Sequence, residues 1–264
     1  GAVSHLNSVA DPPALRAAYN AALPKVTEFW TRLGADERLY AKYKSMDPAS
    51  LTAEQAQAHH NALRGFVLGG AELQGAAKDR FAAIQERAAE LAQKFSENAL
   101  DATAAFALYV DTDELAGVPE DVVQATAAAA RAEGRKDHKL SLKMPVYLPV
   151  MQFAHSGALR EKLYRAYVTR ASDQAPAELA RFDNTALMVE LLALRHEEAR
   201  LLGYRHFADV SLVPKMAESP EQVSAFLRDL ATKARPFAEQ DLADLRAFAA
   251  DHLGIADPRS EEHT

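Results

Sequence analysis

Phe81, Ile84, Ala88, Leu91, Phe95 and Ala99 step through the chain by threes and fours, and no Gly or Pro interrupts them. That spacing places all six on one face of an α-helix. A helix over residues 76–104 would run roughly 43 Å at the usual rise per residue. A rod of that length suits one wall of a large body better than a small bundle, so the rest of the chain has to supply layers against it.

Most of the remaining sequence has the same period. Asp11 is placed to cap a helix whose first position is Pro12, where a missing N–H costs nothing. Leu15, Tyr19, Leu23, Val26 and Trp30 continue it, Pro24 should kink or split it, and Gly34 should stop it. A short helix is expected over residues 37–43. Thr52 and Gln55 form a capping box that opens a helix through Leu63 and Phe66, ending at Gly69-Gly70. Residues 106–110 and 139–144 alternate in the manner of two short strands, with a helix between them opened by Pro119 and ended near Gly134. Pro145 and Pro149 punctuate the next segment, which therefore reads as an edge strand or extended connector.

Four more helices follow. Ser156 caps the first, and Asp183 or Asn184 caps the second, whose stripe is Leu187, Leu191, Leu194 and Leu201 and whose stop is Gly203. A short helix covers residues 207–212. Ser219, Pro220 and Gln222 begin the last, which runs toward Gly254 with a kink expected at Pro236. No repeat, low-complexity linker or break in composition divides the 264 residues, so a single mostly α-helical lobe with a minor two-stranded element is the simplest reading.

Composition excludes several functions. Net charge is −7, which disfavours nucleic acid and anionic lipid as partners. There is no cysteine, which removes disulfides, Cys-ligated metals and thiol nucleophiles and fits a cytoplasmic protein. No apolar run approaches the roughly 20 residues of a membrane helix. The first residues have no signal-peptide layout, and both ends read as cuts.

Several motifs invite chemical readings. His196-Glu197-Glu198-Ala199-Arg200 mimics H-E-x-x-H, in which two imidazoles one turn apart hold zinc. Arg200 stands at the second ligand position, and a guanidinium offers no lone pair. None of the nine histidines lies one turn from another, and neighbours His59 and His60 diverge by about 100° on a helix. Polar residues on an amphipathic helix are the better reading. Glu197-Glu198, Asp111/Asp113/Glu114 and Glu261-Glu262 are paired carboxylates, but an acidic helical chain holds many by chance; Asp113 and Glu114 suit a turn or helix start. Gly69-Gly70 and Gly75 make no phosphate loop, and no G-x-S-x-G elbow occurs. Tyr164 and Tyr167 share a helix face with Arg170. Packing is the favoured reading; the functional one is a wall that meets a peptide carboxylate or backbone.

Specific stretches add a further layer: VSHLNSV at 3–9, NALDAT at 98–103, LAGVP at 115–119, YLPVM at 147–151, YRAYVTRASD at 164–173 and the run 194–236. In this order and spacing they resemble the oligopeptidase A and thimet oligopeptidase family of zinc metallopeptidases. The resemblance implies an elongated multi-helix lobe forming one side of a zincin-type channel. It also implies a complete enzyme that uses zinc and a general base to cleave short, unstructured peptides. No zinc ligand, base or oxyanion donor of the family has a matching position here, so no catalytic or metal residue carries over; Tyr164, Tyr167 and Arg170 remain candidate channel-wall residues. The expectation is an amino-terminal scaffold fragment, inactive alone, whose partner is the missing catalytic half and which binds no zinc specifically. The alternative is an autonomous helical peptide- or protein-binding module. An unrelated helical enzyme using Tyr167 and Arg170 ranks last.

Overall fold

A computed structural model describes residues 1–255. The Glu261-Glu262 pair and His263 lie outside the described residues. In chain order the helices and strands are α1 (Ala2–Val9), α2 (Pro13–Gly34), α3 (Glu37–Lys44), α4 (Ala53–Leu68), α5 (Gly75–Ala105), β1 (Leu108–Val110), α6 (Glu120–Arg131), β2 (His138–Leu140), α7 (Met144–Phe153), α8 (Gly157–Thr169), α9 (Thr185–Leu201), α10 (Phe207–Leu212) and α11 (Pro220–Phe248). The fold is mostly α with one two-stranded antiparallel sheet, as the periodicity requires.

The chain forms two compact units. The first comprises Gly1–Phe95 and Ala186–Ala231. Its core joins Ile84 and Leu91 of α5 to Leu194 of α9, with Ala88, Leu187, Leu191 and Leu201 packed around them. The apolar face of α5 and the leucine stripe of α9, both anticipated from spacing, meet here. Two ion pairs fix the register: Arg80 to Glu197 at 2.7 Å and Arg87 to Glu190 at 2.6 Å. Two turns forward on α5 correspond to two turns back on α9, so the helices run antiparallel. Nearby, Tyr43 stacks on His59 and packs against Phe66. Tyr40 donates to Glu72 at 2.6 Å, which pushes its phenol up to about 12.

The second unit comprises Ser96–Thr185 and the chain from Thr232 onward. β1 and β2 pair antiparallel, with Leu108 opposite Leu140 and Val110 opposite His138. Val122 of α6, Val150 of α7 and Leu159 and Leu163 of α8 close over them. Buried His138 is held between the Thr112 and Thr126 hydroxyls at 3.0 and 3.2 Å, a structural role for an imidazole.

The capping signals behave as expected at Thr52–Gln55, Ser156 and Ser219. Asp183 accepts the Thr185 N–H and hydroxyl ahead of α9. Asp111 and Glu114 form a capping box on a single 3₁₀ turn, and Gly203 ends α9 with φ +82.

Two expectations fail. Asp11 does not cap α2, which starts at Pro13 with Pro12 at the cap position. Its carboxylate instead accepts the Asn7 amide at 2.8 Å and pairs with Arg16 at 2.6 Å, while its backbone takes φ 39. The segment with Pro145 and Pro149 is a helix, α7, not an edge strand or connector. Pro145 sits in its first turn, where no N–H is needed, and burial of Tyr147, Val150 and Met151 on one side outweighs the bond lost at Pro149. Pro24 and Pro236 leave α2 and α11 unsplit. The strands are also shorter than the alternating runs that announced them.

Gly69, expected as a helix stop, and Gly117, part of the LAGVP stretch, are both required for space. A Cβ on Gly69 would lie 2.8 Å from the Gly34 carbonyl oxygen, where the ends of α2 and α4 cross. One on Gly117, at φ +93, would lie 2.2 Å from the Phe153 carbonyl oxygen and 2.5 Å from the His155 ring. Gly69→Ala should cost about 1–3 kcal/mol from overpacking alone. Gly117→Ala should cost more, because about 1–2 kcal/mol of left-handed strain adds to the clash. Urea denaturation of both variants checks the order; a Gly117 variant as stable as the parent would show that the 115–119 turn is wrongly understood.

Candidate functional site

The zinc look-alike on α9 has unsuitable donor chemistry. Arg80 grips both carboxylate oxygens of Glu197 at 2.7 Å and holds its carboxyl below the usual range. Arg200 takes the place of the second imidazole. Among the described residues no group of three or more His, Asp or Glu side chains could hold a metal ion. His59 is committed elsewhere, since its Nε2 donates to the Tyr43 carbonyl at 2.7 Å, while His60 is exposed. These residues do not fit zinc.

Glu198 differs from its neighbour. It is half-buried beside Gln85, and burial pushes its carboxyl up. Contrasting carboxyls can divide acid and base work. Adjacent residues on a helix, however, point about 100° apart, so Glu197 and Glu198 cannot flank one bond. The pair is structural.

The site that does assemble lies in the second unit. Leu159, Leu163 and Ala166 bury one face of α8 and so fix its rotation. Tyr164 and Tyr167 then fall on the flank that meets α7. Tyr147 reaches across from α7, and its ring stacks on that of Tyr167 with centroids 4.3 Å apart and planes at 19°. The Arg170 guanidinium carbon lies 3.8 Å from the Tyr167 ring centroid on a stacking contact. Its Nη1 donates to the Tyr167 carbonyl at 2.6 Å, placing a cation at the carboxyl end of α8, where it also complements the helix dipole.

The chain turns sharply after Arg170. Ala171 is buried at φ 53, an unfavourable conformation for a residue with a side chain. Its carbonyl accepts the Asn184 N–H at 3.0 Å, and the buried Asn184 side chain accepts from Asn98 at 2.8 Å. These bonds hold the strained residue and with it the start of the Arg170 side chain. Burial, with the Tyr167 and Tyr164 phenols alongside, pushes the Tyr147 phenol up; Arg170 acts in the opposite direction.

The structure thus brings Tyr164, Tyr167 and Arg170 together and adds Tyr147, which spacing alone did not reveal. Its segment reads as extended when its prolines are taken at face value, and a stack between two helices leaves no mark in local periodicity. His196 belongs to the first unit.

Two family models match this chain. The family model for Peptidase family M3 matches residues 150–260, and that for the Neurolysin/Thimet oligopeptidase N-terminal domain matches residues 1–78. Oligopeptidase A of Salmonella typhimurium is 46% identical over 258 residues, covering 96% of this chain and 38% of the relative. Oligopeptidase A of Haemophilus influenzae is 40% identical over 260 residues, covering 97% and 38%. Dipeptidyl carboxypeptidase of Escherichia coli is 30% identical over 220 residues, covering 82% and 31%. The chain spans 38% of the length of the oligopeptidase A relatives it matches.

The raised Glu198 carboxyl carries a sign. A folded-state value above the unfolded one means that the native state binds the extra proton. Stability is therefore greatest below the ordinary carboxylate range and falls as pH rises through it toward the folded value. Glu198→Gln removes this penalty. The variant should melt higher than the parent at neutral pH, by up to roughly 2–4 °C if screening leaves about 1 kcal/mol. The advantage should fade as both are titrated below the ordinary Glu range. Calorimetry at several pH values tests this, and a constant difference would remove Glu198 as its source.

Proposed function

Because the chain belongs to the oligopeptidase A and thimet oligopeptidase family within Peptidase family M3, we propose that it is the helical amino-terminal portion of a zinc metalloendopeptidase that hydrolyses short peptides. The observation that carries this reading is the 46% identity sustained over 96% of the chain but only 38% of the relative. In this reading the described residues supply scaffold and part of a peptide-facing wall, and the remainder of the enzyme supplies the chemistry. Zinc belongs to the family's metallopeptidases, and the donors on α9 argue that this portion does not hold it. The absence of cysteine supports a cytoplasmic setting, and the net charge of −7 argues against nucleic acid as a partner. No described helix is long and apolar enough to cross a membrane.

The partner in this reading is the catalytic portion of the same enzyme. Phe237, Leu245 and Phe248, in the part of α11 that belongs to the second unit, are exposed, and no residue of that helix is buried. Apolar surface of this kind in one helix marks an interaction face. The alternative of a self-sufficient binding module would have less reason to leave it open.

Two outcomes test the reading. The purified 264-residue chain, supplied with zinc and a quenched-fluorescence hexapeptide, should show no turnover above buffer. Chelator-sensitive hydrolysis by the chain alone would defeat the proposal. In light scattering the same chain should self-associate as concentration rises, while a strictly monomeric, cooperatively melting protein would favour the autonomous module.

A further inference from the structure

We propose that Arg170, with Tyr147, Tyr164 and Tyr167, forms a carboxylate-binding subsite for short peptides. The proposal rests on the peptidase reading above and deepens it by assigning a ligand group to one cluster.

Arg80, Arg87 and Arg165 each hold a carboxylate within 2.7 Å. Arg170 has no ion pair with any described residue; its one hydrogen bond within the chain goes to the Tyr167 carbonyl. A guanidinium presents a planar fork of donors, and most of that fork is still available. The side chain is half-buried and lies on an aromatic ring, so the cation is partly withdrawn from water without a counter-charge.

The surroundings supply matching chemistry. None of the phenol hydroxyls of Tyr147, Tyr164 and Tyr167 is hydrogen-bonded to another described residue. A phenol O–H donates well to a carboxylate, and an arginine fork matches the two carboxylate oxygens in geometry. A neutral ligand would use the phenols but leave the cation uncompensated. A cationic ligand would be repelled by it. An anionic oxygen pair satisfies both.

The cluster is also held in place before any ligand arrives. Tyr147 and Tyr167 stack between α7 and α8, each of which buries one face in the core of the second unit. The backbone at Ala171 is pinned in its left-handed conformation by Asn184. Groups fixed in this way lose little freedom on binding. Capping of α8 by the Arg170 cation accounts for the bond to the Tyr167 carbonyl, but it gives no role to the stacked Tyr147 and Tyr167 rings or to the unpartnered phenols of the cluster.

A peptide presents this chemistry either at its terminal carboxylate or on an acidic side chain. The whole chain, labelled with ¹⁵N at arginine Nε, would be titrated with three N-acetylated hexapeptides: an alanine peptide with a free carboxyl terminus, its amide, and an amide with one internal Glu. The Arg170 Nε–H resonance should shift with the free acid and not with the alanine amide. A shift with the Glu-containing amide would identify the side chain as an equivalent source. Arg170→Gln should weaken the free acid by at least ~10-fold, the size expected for a charge-assisted bidentate pair, and Arg170→Lys should recover only part of it. Tyr147→Phe and Tyr164→Phe should each weaken it by ~3-fold, as a lost hydrogen bond would. They also carry the test if the Arg170 variants unfold.

Equal affinity for acid and alanine amide would overturn the subsite. So would full affinity in a folded Arg170→Gln protein or in both Phe variants. Zinc-dependent hydrolysis by the chain alone would instead defeat the scaffold reading, while an inactive chain indifferent to the carboxylate would defeat the subsite only.

Discussion

The antiparallel contact between α5 and α9 is the constraint on which the first unit depends. Ile84 and Leu91 on one helix and Leu194 on the other are almost wholly withdrawn from water. Each such side chain contributes roughly 1.5–3 kcal/mol of burial. Apolar contact alone would tolerate sliding, because one leucine stripe resembles itself a turn away. The pairs Arg80–Glu197 and Arg87–Glu190 remove that freedom, since a slip of one turn breaks both at once. All four side chains are well exposed, so their value lies in selecting one register more than in adding stability. The same contact decides the fate of the zinc look-alike. Glu197, which would be the base in an H-E-x-x-H helix, is here part of the registration device.

How much of this could be seen in the sequence follows the range of each interaction. Helix starts governed by a side chain and a backbone N–H three residues away were visible at Thr52, Ser156 and Ser219. The leucine stripe of α9 and the apolar face of α5 were visible because a single helix contains each pattern. The pairing of Arg80 with Glu197 was not visible, because 117 residues separate the partners and nothing in either neighbourhood selects the other. Asp11 shows the same limit at short range. Its type and position suit a cap, yet Asn7 and Arg16 compete for its oxygens and win. The left-handed backbone it adopts is tolerated by Asp more readily than by most residues.

In α7 the local penalty of proline is offset by burial, which local sequence pattern does not display. A proline in the first turn removes no helical bond, and the second removes one. Against that stand Tyr147, Val150 and Met151, which an extended segment of alternating faces could not all have turned toward the same core. The consequence reaches the candidate site. Tyr147 can stack on Tyr167 because α7 is helical at this point, so the backbone of α7 and the stack share one cause.

Ala171 links the fold of the second unit to the candidate site. A residue with a side chain at φ 53 is strained by about 1–2 kcal/mol, and glycine would relieve it. Glycine would also widen the choice of backbone directions where the chain leaves α8. With alanine, the left-handed turn persists only while Asn184 donates to its carbonyl, and Asn184 is itself buried and held by Asn98. Backbone strain retained at an interior position, held by two buried amides and adjoining a cation without a counter-charge, suits a site in which Arg170 must keep one orientation on its ring. A residue needed only to cap a helix end would gain little from so exact a support, because capping by a long flexible side chain tolerates many backbone paths.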